Sequence, residues 1–139
     1  MYPTANDAEQ AFYEAFETGN LEVMMQVWAA DETIACIHPL QRPLSGVDEI
    51  RTGWEQIFAG EPPMEFRVSR LHRTQSEDVA IHIVEENILV GKEREPHAPV
   101  LATNIYRREE DGWRLMLHHS SPAPRTTTPP LPDMSSRLH

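Results

Sequence analysis

Ala102-Thr103-Asn104-Ile105-Tyr106-Arg107-Arg108 runs into Glu109-Glu110-Asp111-Gly112 and out through Trp113-Arg114-Leu115-Met116-Leu117-His118-His119-Ser120-Ser121-Pro122. Two alternating runs joined by a turn that ends in Asp-Gly read as an antiparallel hairpin. Its second strand ends in two imidazoles and two hydroxyls, which add little to packing on a pleated face. Those side chains are therefore either exposed or line something polar.

Upstream of the hairpin the pattern is strand-like back to Met64. Met64 to Thr74 alternates through Met64, Phe66 and Val68, and a phase change at Arg70-Leu71 predicts a bulge. Val79 to Val90 puts Val79, Ile81 and Ile83 on one face and Ala80, His82 and Val84 on the other. Glu85-Glu86-Asn87 is expected to interrupt it.

The first third is helical. Ala8, Phe12, Ala15 and Phe16 share a face from about Asn6 or Asp7 to Thr18, with Gly19 placed to end that helix and Asn20 to cap the next. Leu21, Met24, Met25 and Trp28 mark a second helix, ending near Ala30. Thr33 to Ile37 is a short β-branched strand stopped by His38-Pro39, and Arg42-Pro43-Leu44 is loop. Ser45 and Asp48 form a box-like cap for a third helix, which buries Val47, Ile50, Trp54, Ile57 and Phe58 before Gly60 and Pro62-Pro63. Three helices followed by an antiparallel meander is an α+β plan, with the helices on one sheet face.

A chain of 139 residues suits one domain, read here as residues 1–122, with a proline-rich tail over 123–139. The net charge of −10 argues against nucleic acid and against an anionic membrane surface. The single cysteine, Cys36, excludes an intramolecular disulfide framework and is expected to be buried and inert. No apolar run approaches the roughly 20 residues that span a bilayer, and no secretory leader is visible, so a cytoplasmic protein is expected. Seven histidines raise the question of a metal. No H-x-x-x-H or H-E-x-x-H spacing is present, nor a glycine-rich phosphate loop, and neither metal nor cofactor is expected.

His38 is the leading candidate for proton transfer, because an imidazole titrates close to neutrality. The alternative is a histidine that only satisfies a loop backbone group before Pro39. His118 and His119 are neighbours on a strand and point to opposite faces. His119 shares phase with Trp113, Leu115 and Leu117, so it is expected in the pocket and His118 on the outer face, unless a bulge reverses the phase. Asn104 and Tyr106 share a face with Val100 and Ala102; a buried amide there either orients a ligand or holds structure. Glu85 and Glu86 resemble an acid/base pair, but neighbours on a strand diverge, and a bulge or an exposed sheet end is the expected reading. Trp28, Trp54 and Phe58 are core groups that could also wall a cavity. His72, His82 and His97 have no defensible partner spacing.

The element order, with Trp28, His38-Pro39, Ser45-Gly46, Trp54, Asn104 and Trp113…His118-His119-Ser120-Ser121, resembles the SnoaL-like branch of the nuclear transport factor 2-like superfamily over about residues 6–122. The closing hairpin is also similar to that of the calcium/calmodulin-dependent kinase association domain. The resemblance implies a cone, in which a strongly curved, mostly antiparallel sheet wraps three helices around a pocket, and pairing into a homodimer through the outer sheet face. Ketosteroid isomerase, another member, carries an aspartate base directly before a proline at the end of its first strand. His38-Pro39 stands at that place with an imidazole instead, and the isomerase's oxyanion-hole tyrosine and aspartate have no clear counterpart. Steroid isomerisation is not supported.

Three functions stay open. One is acid/base catalysis on a small apolar carbonyl or hydroxyl compound, with His38 moving the proton and His119 and Asn104 orienting the substrate. Trp28, Trp54, Phe58 and Tyr106 would then exclude water, and one of His118 and His119 would reach the ligand. The others are a ligand-binding domain without turnover and a dimeric assembly module.

Overall fold

The computed structural model describes residues 1–60, 63–93, 95, 96 and 98–124, Glu95 by its backbone alone. Most of the expected tail, His97 and Pro62 of the Pro62-Pro63 stop lie outside the described residues.

Helix α1 (Ala5–Thr18) starts where Thr4 Oγ1 accepts the Asp7 amide at 3.0 Å, and stops at Gly19, whose φ of 66° lets its N–H reach the Ala15 carbonyl. Asn20 then caps α2 (Leu21–Val27) through the Val23 amide at 3.1 Å. Helix α2 is shorter than expected: Trp28 is already extended and bridges Leu115, and the Ala29 amide donates to the Leu115 carbonyl. That pairing with the sheet outcompetes a last helical turn.

Strand β1 (Ala35–Ile37) is shorter than the Thr33–Ile37 expectation, because Thr33 is held in an Asp31 turn by its amide and hydroxyl. Leu44 is not loop: with Ser45 it forms β2 (Leu44–Ser45), paired to Cys36 and Ala35. The Ser45–Asp48 box does not form either. The Ser45 amide donates to Glu49 Oε1 at 3.0 Å, and α3 (Gly46–Gly60) begins directly. Gly46 has φ +83°, and a Cβ there would lie 2.8 Å from the Glu32 carboxylate, so only glycine fits this corner.

The remaining strands are β3 (Met64–Gln75), β4 (Val79–Val90), β5 (Glu95–Pro96), β6 (Val100–Glu109) and β7 (Gly112–Pro122). They form one sheet in the order β2-β1-β7-β6-β4-β3, with β5 on β4; β1 runs parallel to β7, and the other strand pairs among the described residues are antiparallel. The architecture is α+β as read. The bulge at Leu71 is present, where the β3–β4 register steps between Arg70 and His72. Strand β4 is not interrupted at Glu85-Glu86-Asn87; it pairs through all three with β3, and its inner face is Ala80, His82, Val84 and Glu86.

A second bulge decides the site. Ile105 pairs with Leu117 and Tyr106 with Leu115, which leaves Met116 as an extra residue in β7. Trp113 and Leu115 face inward before the bulge; after it, the inward residues are His118 and Ser120. The core between helices and sheet holds Phe12, Met24, Trp28, Ile34, Ile50, Trp54 and Leu115, all fully buried. Phe12 sits at its centre, edge-on to Trp54 at 5.7 Å and to Trp28 at 6.5 Å.

Candidate active site

A cavity of about 240 Å³ lies between α1, α3 and the inner sheet face. Its apolar walls are Phe16, Ile57, Met64, Ile88, Val90 and Val100, and its polar groups are His38, Gln41, Glu86, His118 and Ser120. Such a volume suits a ligand of about one ring with a short substituent, at the small end of ligand pockets.

His38 stands where β1 ends, 93% removed from solvent and edge-on to Trp54 at 5.0 Å. Its Nε2 lies 3.5 Å from Cys36 Sγ. Burial drives its pKa down to about 4, so the ring is neutral at physiological pH. The Cys36 thiol is buried and pushed far up by burial and by the charge of Glu86, which leaves it unreactive, as expected.

His118, and not His119, faces this space; the Met116 bulge reverses the phase read from the hairpin, and His119 is exposed. The His118 and His38 rings are 6.0 Å apart. Burial first, then the neighbouring charges of His38 and His119, bring His118 down to about 3, again a neutral ring. Its Nδ1 bonds Asn104 Oδ1. The Asn104 amide nitrogen donates to Tyr13 Oη at 3.0 Å, and at 3.5 Å to Glu9 Oε2. Tyr13 in turn donates to Glu86 Oε2 at 2.6 Å. This network assigns the Nδ1–H tautomer to His118 and leaves its Nε2 as a lone-pair acceptor. Both ends of the chain, His118 and Glu86, line the cavity.

Glu86 reads in sequence as a surface carboxylate. It is buried, and burial raises its pKa to about 7, an effect that the Tyr13 hydrogen bond opposes and the charge of Glu9 reinforces. Glu9, on α1, has the opposite fate. Burial would raise it, but His82 Nδ1 at 2.9 Å, Arg70 at 2.8 Å and Tyr106 Oη at 2.8 Å hold its carboxyl down at about 2. His82, without a partner in sequence, is therefore a fully buried ligand of Glu9.

Trp28, Trp54, Asn104 and Tyr106 are fully buried behind the cavity instead of on its wall. Trp54 backs His38, Asn104 holds His118, and Tyr106 is taken by Glu9. Phe58 packs on Trp54 at 5.5 Å and lines a neighbouring groove with Gly19 and Pro63. Glu9 and Tyr13 are the groups that sequence reasoning missed, and Glu86 is one that it set aside. Two periodicities pointed to them: Glu9 and Tyr13 are four apart on the buried side of α1, and Glu86 continues the even-numbered row Ala80, His82, Val84. Among the described residues no three histidine, cysteine or acidic side chains gather as a metal-binding group. No described helix is long and apolar enough to cross a membrane.

A sheet folded over three helices, with an apolar cavity holding one carboxyl and two neutral imidazoles, defines a pocket protein of the nuclear transport factor 2-like class. The chain belongs to the SnoaL-like domain family, whose profile matches residues 5–125. Among solved structures it is similar to a chain of Thiobacillus denitrificans named for the calcium/calmodulin-dependent protein kinase type II association domain. That chain is 45% identical with a TM-score of 0.86, over 89% of this chain and 98% of that one. A Streptomyces avermitilis protein described as a dehydratase of the same superfamily is 33% identical, TM-score 0.75, over 85% and 93%. The F-box protein SKIP8 of Arabidopsis thaliana is 24% identical over 110 residues, 79% of this chain. The chain spans about half of that relative, 46% of its length.

Proposed function

We propose that the cavity binds a small, mainly apolar carbonyl or hydroxyl compound and moves a proton on it, with Glu86 as the proton carrier. The observation that carries this reading is a carboxyl on an apolar wall, fixed by Tyr13, whose pKa lies near 7. Such a group is divided between acid and base at neutral pH, the condition that favours proton transfer in both directions. His38 and His118 stay neutral beside it; a ligand carbonyl would take its hydrogen bond from an N–H of His38, and a ligand hydroxyl would donate to His118 Nε2. This shifts the proton-transfer role from His38, the candidate of the sequence, to Glu86. The likeness to a protein described as a dehydratase supports chemistry of this type.

The test is exchange of the α-protons of simple cyclic ketones in deuterated buffer, followed by NMR. Exchange catalysed by the wild type and reduced at least about a hundredfold in Glu86→Gln is expected. Exchange unchanged in that variant removes Glu86 from the mechanism; exchange unchanged in His38→Ala removes His38.

A second reading has its own observation. Half-buried Ile81, Ile105 and Leu117 lie side by side across β4, β6 and β7 on the outer sheet face, with Ala35 next in line. This stripe supports a homodimer through that face, and the likeness to a kinase association domain fits an assembly role. Light scattering is expected to report a dimer that Ile105→Glu dissociates.

A further inference from the structure

We propose that Glu86 selects the ligand by charge: the cavity takes a polar end that is a protonated amine or a neutral hydrogen-bonding group, and refuses a carboxylate or a phosphate. The proposal rests on reading this cavity as a ligand site, and deepens that reading by naming the ligand class.

The composition of the wall carries it. Among the described residues that line the cavity, none is a lysine or arginine, and Glu86 is the one acidic side chain. Arg70 lines a different groove and is committed to Glu9 at 2.8 Å, while Arg42 and Lys92, which follow the lining residues Gln41 and Val90 in sequence, are exposed. Arg107 is likewise bound to Asp31 and Glu109, and Arg114 to Asp111. The two imidazoles cannot supply the missing cation, because burial keeps both rings neutral. An anionic ligand would lose its hydration, find no counter-charge and meet Glu86 as a like charge.

A cation meets the reverse situation. Among the described residues the hydrogen bond to Glu86 is Tyr13's, made to Oε2. The groups facing this carboxyl are Tyr13 and Glu9 of α1, His118 of β7, His38 after β1 and Cys36 within β1, while β3 and β6 set Val68 and Val100 opposite it. None of these carries a positive charge at neutral pH. A protonated amine would relieve the burial penalty that lifts the Glu86 pKa, so its binding would favour the ionised carboxylate.

Three probes with one aromatic body separate the cases: 2-phenylethylamine, 2-phenylethanol and phenylacetate, measured by calorimetry and by ligand-observed NMR. At about pH 8 the amine is expected to bind about tenfold more tightly than the alcohol, an advantage that shrinks at about pH 5.5 as Glu86 takes up its proton. Phenylacetate is expected to show no saturable binding at about pH 8, where Glu86 is ionised. In Glu86→Gln, a near-isosteric change that keeps an acceptor for Tyr13, the amine's advantage is expected to vanish while the alcohol still binds. Saturable phenylacetate binding as tight as the alcohol's at about pH 8 overturns the charge rule and leaves the ligand site standing. So does an amine advantage that survives Glu86→Gln. Failure of all three probes to bind at millimolar concentration overturns the ligand site, and the charge rule with it.

Discussion

Tyr13 on α1 and Glu86 on β4, 73 positions apart in the chain, share a 2.6 Å hydrogen bond that joins the helical layer to the sheet at the cavity wall. Phenol and carboxyl are both buried; Tyr13 donates to Glu86 and accepts from the Asn104 amide. In Tyr13→Phe, Glu86 loses the interaction that favours its charged form. Its pKa is expected to rise above 7 by about one unit, read by carbon-13 NMR of the side-chain carboxyl. Stability should fall by about 1–3 kcal/mol in denaturant titrations, because Asn104 also loses its acceptor. A Glu86 titration that does not move would separate the two residues in function.

The cavity groups pull stability in opposite directions with pH. Glu86 has a raised folded pKa, so the folded state holds more protons than the unfolded one between about 4.5 and 7. Its contribution is complete below the unfolded value and is lost as pH rises through 7. His38 and His118 are depressed to about 4 and about 3. Their contribution is complete above the unfolded value of 6.5 and is lost as pH falls through those numbers. Glu86→Gln should therefore gain on the wild type between about pH 5 and pH 8, by up to about 3 kcal/mol. His118→Gln should flatten the acid side instead. Parallel stability curves for wild type and Glu86→Gln would contradict the burial of an ionisable group there.

Glu9 is the anchor behind the site. Its pKa of about 2 means stability that is present above the normal carboxyl value near 4.5 and is lost as pH falls through 2. Glu9→Gln should cost about 2–4 kcal/mol near neutrality, with Arg70, His82 and Tyr106 sharing a weaker acceptor. Nitrogen-15 NMR of His118 should then report a mixed tautomer, since Asn104 is no longer held amide-first toward a carboxylate. A pure Nδ1–H signal in the variant would mean that Tyr13 alone orients Asn104.

Leu40, beside the cavity mouth, has φ of 61° with its side chain 92% exposed. The left-handed conformation strains a leucine, and the exposed isobutyl group recovers nothing by burial. Leu40→Asn keeps the turn and should raise stability by about 0.5–1 kcal/mol, visible as a higher melting temperature. A lower melting temperature would show that Leu40 makes a contact in solution.

The stop of α1 at Gly19, the Asn20 cap, the hairpin and the bulge at Leu71 were legible because their causes are local: a glycine, a capping side chain, a break in alternation. The Met116 bulge left no such mark. Leu115, Met116 and Leu117 are all apolar, so either phase of β7 satisfies the pattern, and only pairing with Ile105 and Tyr106 fixes it. Glu86 was misread for a related reason. A lone carboxylate on a strand is ordinarily a surface group, and the residues that make its burial tolerable come from α1. Glu9 and Tyr13 stand among apolar helix positions, and the partners that justify them, Arg70, His82 and Tyr106 for Glu9 and Glu86 and Asn104 for Tyr13, are more than sixty positions away. The fold followed from short-range chemistry; the site is made of long-range pairs.

The adjacent imidazoles of β7 give the end of that strand a tolerance that no single histidine would have. If the segment after the bulge slips so that His119 pairs with Asn104, an imidazole still enters the cavity, whereas a slip the other way brings Leu117 there. One direction of error in strand phase is thus buffered at the cavity, and the other is not. Relatives that keep only one of the two rings should tolerate neither slip.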